Sequence, residues 1–305
     1  MKWQKEGRIF VPENLGGWRN STFMTPTPYL LNPETIRIYG GFRDALGVSR
    51  IGYIDVKASN PKEIIQISEK PVLDIGENGM FDDNGVILGA LVQNKPNELY
   101  MYYVGFQLVQ KVKFLAFSGL AISKDGGENF ERIAPTPILD RVGNEKYMRC
   151  IHSVIKEDNI FKIWYSTGHK WEYINHIPYP QYEIKYITSS DGIQMPFGEG
   201  SMALSCINDE YRIGRPTVFG KAGDYHMFYT TDTLQKVYSC GYAQSSNGID
   251  WIRRNDLFDL PPSITGWDSE MTCYPIPLTT AYGTYLFYNG NGMGLSGVGY
   301  ARLIE

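Results

Sequence analysis

Two pairs of acids have the spacing to do chemistry together: Asp82 and Asp83, in the run Phe81-Asp-Asp-Asn-Gly85, and Asp268 with Glu270, in Trp267-Asp-Ser-Glu-Met271. A carboxylate at the floor of a channel can serve as general base or hold a sugar hydroxyl. The run Asp-Asp-Asn-Gly is equally good Asx-turn chemistry. Asp268 and Glu270 share one face of an extended chain, and burial behind Trp267 would raise one carboxyl toward general-acid duty. The alternative is an ion pair with Arg149 or Arg215 that ties the last part of the chain to its neighbours. Those two arginines offer bidentate forks suited to carboxylate, phosphate or vicinal hydroxyls, or else partners for Asp83 and Glu270. His152 could carry a proton or sit hydrogen-bonded in the core. Trp171 falls in an insertion from Thr167 to Tyr182, with His169 and His176, where a lid or rim could stack an aromatic on a sugar face. Trp267, the pair Arg43-Asp44 and the pair Asn289 and Asn291 complete the candidate binding residues; the last two pairs are glycine-flanked and suit either hydroxyl recognition or turns.

What must position these residues is a repeat. A strand ending in Tyr recurs as Ile36-Arg-Ile-Tyr39, Leu99-Tyr-Met-Tyr-Tyr103, Phe161-Lys-Ile-Trp-Tyr165, Tyr225-His-Met-Phe-Tyr229 and Tyr285-Leu-Phe-Tyr288, with final tyrosines 64, 62, 64 and 59 residues apart. Each is followed by a Gly- and Ala-bearing strand, which in the middle copies runs into Asp125-Gly126, Asp191-Gly192 or Asn247-Gly248. Phe130, Met195 and Trp251 follow those turns and open a fourth strand. A short apolar strand precedes each Tyr strand and carries Pro26, Pro28, Pro216, Pro275 and Pro277, tolerable where a strand has one paired neighbour. Sustained 3.6-residue periodicity is absent. Periods of this size mean one supersecondary unit repeated, and four-stranded units repeated radially make a propeller. The expectation is an all-β fold, one five-bladed propeller over residues 1–305, with residues 1–20 as lead-in or closure segment.

Composition agrees, since 14% aromatic residues and 32 glycines suit many strands joined by tight turns. A net charge of −4 with dispersed Lys and Arg leaves no footprint for nucleic acid. Cys150, Cys206, Cys240 and Cys273 form no C-x-x-C pair and read as reduced thiols. The start Met1-Lys-Trp-Gln-Lys-Glu-Gly7 lacks the apolar core of a secretory signal, and no stretch approaches the roughly 20 apolar residues of a membrane span. A cytoplasmic location without a membrane partner is the expectation, unless a leader has been removed. No phosphate-cradling, dinucleotide or H-E-x-x-H motif occurs, so no cofactor is expected; a channel ringed by Asp would suit Ca²⁺, without specific support from spacing.

The motifs Arg215-Pro-Thr-Val218, Tyr225-His-Met-Phe-Tyr229, Gly241-Tyr-Ala-Gln-Ser245 and Asn247-Gly-Ile-Asp-Trp251 resemble the blade grammar of the five-bladed propeller superfamily of glycoside hydrolases, which includes families 43, 32, 62, 68, 117 and 130. With Gly79-Met-Phe-Asp-Asp-Asn-Gly85, Trp267-Asp-Ser-Glu-Met271 and Tyr288-Asn-Gly-Asn291, the chain is similar to a bacterial subgroup met beside surface-polysaccharide genes. The resemblance covers roughly residues 20–303 and implies a sugar or glycan substrate. In families 43 and 32 it would imply acids on the first, second and third blades. Here the first blade has Thr25-Pro26-Thr27-Pro28 and the third has Arg149 and His152, so only the second-blade acid carries over, onto Asp82 or Asp83. A hydrolase or phosphorylase would then use Asp268 or Glu270 as the partner carboxylate. The alternative is a catalytically silent sugar-binding or scaffold propeller in glycan biosynthesis.

Overall fold

The computed structural model describes residues 1–13 and 15–305. Strand β1 (Trp3–Phe10) comes first, then four strands in a meander, β2 (Ser21–Asn32), β3 (Thr35–Arg43), β4 (Ser49–Lys57) and β5 (Asn60–Ile67). The second unit is β6 (Val86–Lys95), β7 (Glu98–Gln107), β8 (Leu115–Ser123) and β9 (Glu131–Arg132). The third is β10 (Met148–Glu157), β11 (Ile160–Ile174), β12 (Ile177–Ser189) and β13 (Ser201–Leu204). The fourth is β14 (Glu210–Lys221), β15 (Asp224–Thr233), β16 (Tyr238–Ser245) and β17 (Ile252–Arg253). The last is β18 (Cys273–Thr280), β19 (Gly283–Asn289) and β20 (Val298–Leu303), and its fourth strand is β1, antiparallel to β20. The second and third units are joined by a short parallel pairing of β8 with β10 at Ala116 and Phe117. All-β architecture is thus what the chain adopts, and no helix among the described residues is long and apolar enough to cross a membrane.

The core is layered between units. One cluster joins Tyr39 and Ile51 of the first unit to Val86 and Met101 of the second. Others join the second to the third, the third to the fourth, and the fourth to the last. A further cluster packs Tyr285 and Phe287 of the last unit on Ile36 and Ile54 of the first. The five repeat tyrosines, Tyr39, Tyr103, Tyr165, Tyr229 and Tyr288, are all fully buried. Aromatics of the second strands stitch the layers: Tyr39 Oη donates to Gly127 O, Tyr102 Oη to Gly192 O, Trp164 Nε1 to Gly248 O, each at 2.8 Å, and Tyr285 Oη to Ala58 O at 2.9 Å. In each case the acceptor lies in the turn after the third strand of the following unit, and the last reaches back to the first.

Those acceptor turns have a local cause. Gly126, Gly192 and Gly248 have φ of +78°, +73° and +79°, open only to residues without a Cβ clash. Ser123, Ser189 and Ser245 accept from Gly127, Gly192 and Gly248 N–H at 2.8–3.0 Å. The fourth strands begin after these turns, but in the third unit the strand starts at Ser201 and not at Met195. The insertion Thr167–Tyr182 is no loop: β11 and β12 stay paired out to Ile174 and Ile177, around Asn175 and His176 at φ +51° and +64°.

Candidate functional site

Each first strand has a break in its pairing with the second at a corresponding place: Thr25-Pro26 in β2, Gly89 in β6, His152 in β10, Arg215-Pro216 in β14 and Tyr274-Pro275 in β18. A bulge bends its strand and re-aims a side chain, and proline, lacking the N–H, is tolerated there. Thr25, Arg215 and Tyr274 hold φ of 57°, 54° and 58°, a conformation unusual for non-glycine residues. Thr25, His152, Arg215 and Tyr274 all line one cavity of about 330 Å³. Gly89 is the exception because Ile151 O crowds the place where its Cβ would be.

The cavity wall is aromatic and cationic. Phe106, Phe114, Tyr179, Tyr182 and Tyr238 line it with Met24, Met148 and Met293, and the paired arm of β11 and β12 supplies Tyr179 and Tyr182. Its charged side chains are Arg43, Lys113, Arg212 and Arg215, and no Asp or Glu is among its lining residues. Arg212 is neutralised by Asp232, at 2.6 Å, which also accepts from Tyr211 Oη and Lys236 Nζ. Its guanidinium lies 5.1–5.8 Å from the ring centroids of Tyr179, Tyr182, Tyr211 and Tyr238.

Arg215 has no such partner. It is buried, its Nη1 lies 2.8 Å from His152 Nδ1, and its Nη2 has no hydrogen-bond partner. Because a guanidinium can only donate, His152 Nδ1 is the acceptor and the neutral ring carries its proton on Nε2. Burial pulls the arginine down to about 10. Burial, and then the Arg215 charge, holds His152 well below its ordinary value. Arg43, half-buried, has an unpartnered Nε, and Lys113 is exposed. Cys150, also on the wall, is pushed up to about 12 by burial, so it is an inert thiol.

None of the four expected catalytic carboxylates lines this cavity. Asp82 is fully buried with Arg132 Nε at 2.7 Å, and Asp268 is buried with Lys5 Nζ at 2.7 Å and Tyr288 Oη at 3.0 Å. Glu145 repeats the pattern with Lys185 at 2.8 Å and Tyr165 Oη at 3.0 Å. The arrangement, an acid ahead of the first strand meeting a cation from the third or fourth strand beside the repeat tyrosine, staples a unit together. Asp83 caps a turn, accepting from Gly79 N–H and Asn84 Nδ2, and Glu270 is exposed.

The expected binding residues divide. Arg43, His152 and Arg215 line the cavity. Arg149 is not there: it pairs with Glu145 at 2.5 Å and donates to Asp140 O and Gly198 O. Asp44 pairs with Arg50 and caps the turn at Leu46 and Val48. Trp171 stands behind the wall, edge-on to Phe114 at 5.1 Å. Trp267 stacks on Tyr288, Asn291 accepts from Glu270 N–H, and buried Asn289 binds Thr25 N–H, Phe23 O and Gly297 O. Sequence reasoning missed Thr25, Lys113, Tyr182, Arg212, Tyr238 and Tyr274. A residue before proline inside a strand, as in Thr25-Pro26 and Tyr274-Pro275, was the available signal for two of them. Among the described residues no three His, Cys, Asp or Glu side chains gather as a cation site.

No family model matches the chain. Two proteins of Mycobacterium tuberculosis, uncharacterized protein MT1551 (strain CDC 1551 / Oshkosh) and uncharacterized protein Rv1502 (strain ATCC 25618 / H37Rv), are each 30% identical over 306 residues, 99% of this chain and 99% of theirs. Among solved structures, a BT0996 RGII complex superposes with a TM-score of 0.77 at 16% identity, over 99% of this chain and 93% of that one. A glycoside hydrolase follows at 0.74 and 16%, over 98% and 91%. A structure from a study of the GH130 family of mannoside phosphorylases, containing glycoside hydrolases that target β-1,2 mannosidic linkages in Candida mannan, gives 0.71 and 14%, over 98% and 93%. These likenesses establish a fold shared with glycoside hydrolases.

Proposed function

The chain belongs to one protein family with the two mycobacterial proteins, and from the fold it shares with glycoside hydrolases we propose a carbohydrate-active protein that holds a glycan or sugar conjugate in the cavity where its first strands meet. On this reading residues 1–305 form one domain, a five-bladed propeller closed by β1 in the last blade. The core clusters that pass from unit to unit and return from the last to the first support that closure. The observation that carries the function is the convergence of Thr25, His152, Arg215 and Tyr274, from four units, on one aromatic-walled cavity. Aromatic faces with a few placed polar groups are what a ligand site needs, and about 330 Å³ falls at the lower end of the range for such sites.

The reading is recognition without a carboxylate pair at the bound sugar, because an acid and a base on either side of the scissile bond are what hydrolysis ordinarily requires and the wall offers neither. A glycan array followed by calorimetry tests it: binding that weakens in Tyr274→Ala and Tyr182→Ala supports it, and a protein that captures no glycan sinks it.

A second reading, glycosyl-bond cleavage, is favoured by Asp232. This carboxylate is buried directly behind Arg212, and its Oδ1 accepts no hydrogen bond. Incubating oligosaccharides with and without inorganic phosphate separates hydrolysis from phosphorolysis; no product under either condition, or equal turnover by Asp232→Asn, removes the second reading.

A further inference from the structure

Arg215 is a built cation without a counter-charge. The residue is 7% exposed, it faces a cavity with no acid on its wall, and one of its terminal nitrogens donates to nothing. The other acid-free cations grade outward from it, half-buried Arg43 and then exposed Lys113. Arg212, three positions along, shows the contrast, since Asp232 satisfies it. A buried, half-satisfied guanidinium destabilises the fold that carries it. His152 adds a constraint: as a neutral acceptor it fixes one edge of the guanidinium at 2.8 Å and leaves the other edge available. The strained bulge at φ 54° is what brings the side chain to this place.

We infer that the sugar held in this cavity bears an anionic substituent, a phosphate or a carboxylate, and that Arg215 receives it at the cavity wall, with Arg43 and Lys113 drawing it in from solvent. The inference rests on the carbohydrate reading and names the class of sugar within it. Planar two-point donation to an oxyanion is the chemistry a guanidinium does best. The surplus of positive charge would speed the approach of such a ligand and discriminate against neutral sugars.

The test is calorimetry of the full chain with glucose, glucose 6-phosphate, glucuronate and inorganic phosphate, each at low and high salt, on wild type, Arg215→Met and Arg43→Met. The expected result is that one of the two acidic sugars binds at least about tenfold more tightly than glucose. That preference vanishes in Arg215→Met, whose thermal midpoint stays at or above that of wild type, and falls in Arg43→Met, which is half-buried and leaves the core untouched. The acid that binds, phosphate or carboxylate, identifies the substituent. Equal binding of glucose and the acidic sugars overturns the inference and leaves the carbohydrate reading standing. Inorganic phosphate binding as tightly as glucose 6-phosphate, with no sugar preference, overturns the substituent and assigns the site to the ion. An acid preference that survives Arg215→Met removes Arg215 from the site. No binding by any of the four probes overturns the inference for these sugars, while the glycan array separately decides the carbohydrate reading.

Discussion

His152 Nδ1 accepts from Arg215 Nη1 at 2.8 Å, and the two residues hold the same bulge position in successive first strands. A cation therefore sits against a ring that must stay neutral to accept it, and pH should disturb the pair. His152 is held well below its ordinary value by burial and by Arg215, so below about pH 6.5 the unfolded chain takes up a proton that the folded one refuses. The stabilisation is present above that pH and is lost as pH falls, by up to about 1.4 kcal/mol per unit for one proton. Urea midpoints between pH 7 and pH 5 should decline in wild type and flatten in His152→Gln, whose amide oxygen can still accept. An identical slope in both proteins would show that His152 is not the titrating group.

The stapling acids should behave as structure. Asp82→Ala and Asp268→Ala leave Arg132 and Lys5 without a carboxylate, though Asp74 O and Ser263 Oγ still accept from them, and should each lower stability by roughly 2–4 kcal/mol, the cations being partly exposed. Glycan affinity should stay within about twofold of wild type. A stable variant that loses all binding or turnover would instead return these carboxylates to the working site.

Third-strand glycines are demanded by the repeat tyrosines. A Cβ on Gly119 would run into Tyr103 Cζ, and one on Gly241 into Tyr229 Cζ. Gly119→Ala and Gly241→Ala should cost about 1–3 kcal/mol each through overpacking. Tyr103→Leu in the Gly119→Ala background should recover part of that loss, and a double-mutant cycle with no coupling would refute the contact as its cause.

Asn289 ties the last unit to the first. Its amide oxygen accepts from Thr25 N–H at 2.8 Å, and its nitrogen donates to Phe23 O at 2.7 Å and Gly297 O at 2.9 Å. Asn289→Leu removes three hydrogen bonds to buried backbone groups, of which Gly297 O keeps a second donor in Gly290 N–H, and should cost roughly 2–3 kcal/mol, on the order of 1 kcal/mol for each bond lost. Hydrogen exchange at Thr25 should accelerate in the same variant. A loss below about 1 kcal/mol would mean that the junction is held by other contacts.

The repeat was legible because it is written in short-range signals, a tyrosine closing one strand and a Ser-x-Asx-Gly turn closing the next. The ion pairing of the carboxylates was not legible for the opposite reason. Lys5 lies 263 positions from Asp268 and Arg132 lies 50 from Asp82, so the cations that turn these acids into staples were invisible beside them. Arg215 and His152, which line the cavity, were singled out because polar residues at the head of an otherwise apolar first strand are conspicuous in sequence. Arg212 was not, since nothing local tells an arginine satisfied by Asp232 from one left open. The prolines of the first strands were read correctly as marks of a one-sided strand, though the bulges beside them, which turn side chains into the cavity, needed the register of the neighbouring strand.

The pairing of β1 with β20 also sets an order of events. Every other unit can close as soon as its own four strands exist, but Trp3 finds Leu303 and Phe10 finds Val298 only when all the units between them have been made. During synthesis β1 is an orphan edge carrying Ile9 and Phe10, which end up buried, and such an edge invites pairing with another chain. Lys5, Glu6 and Arg8 lie along that strand, and charges on an unpaired edge disfavour a foreign partner. Joining strands so far apart in sequence is slow, so capture of β1 by β20 is expected to come late in folding.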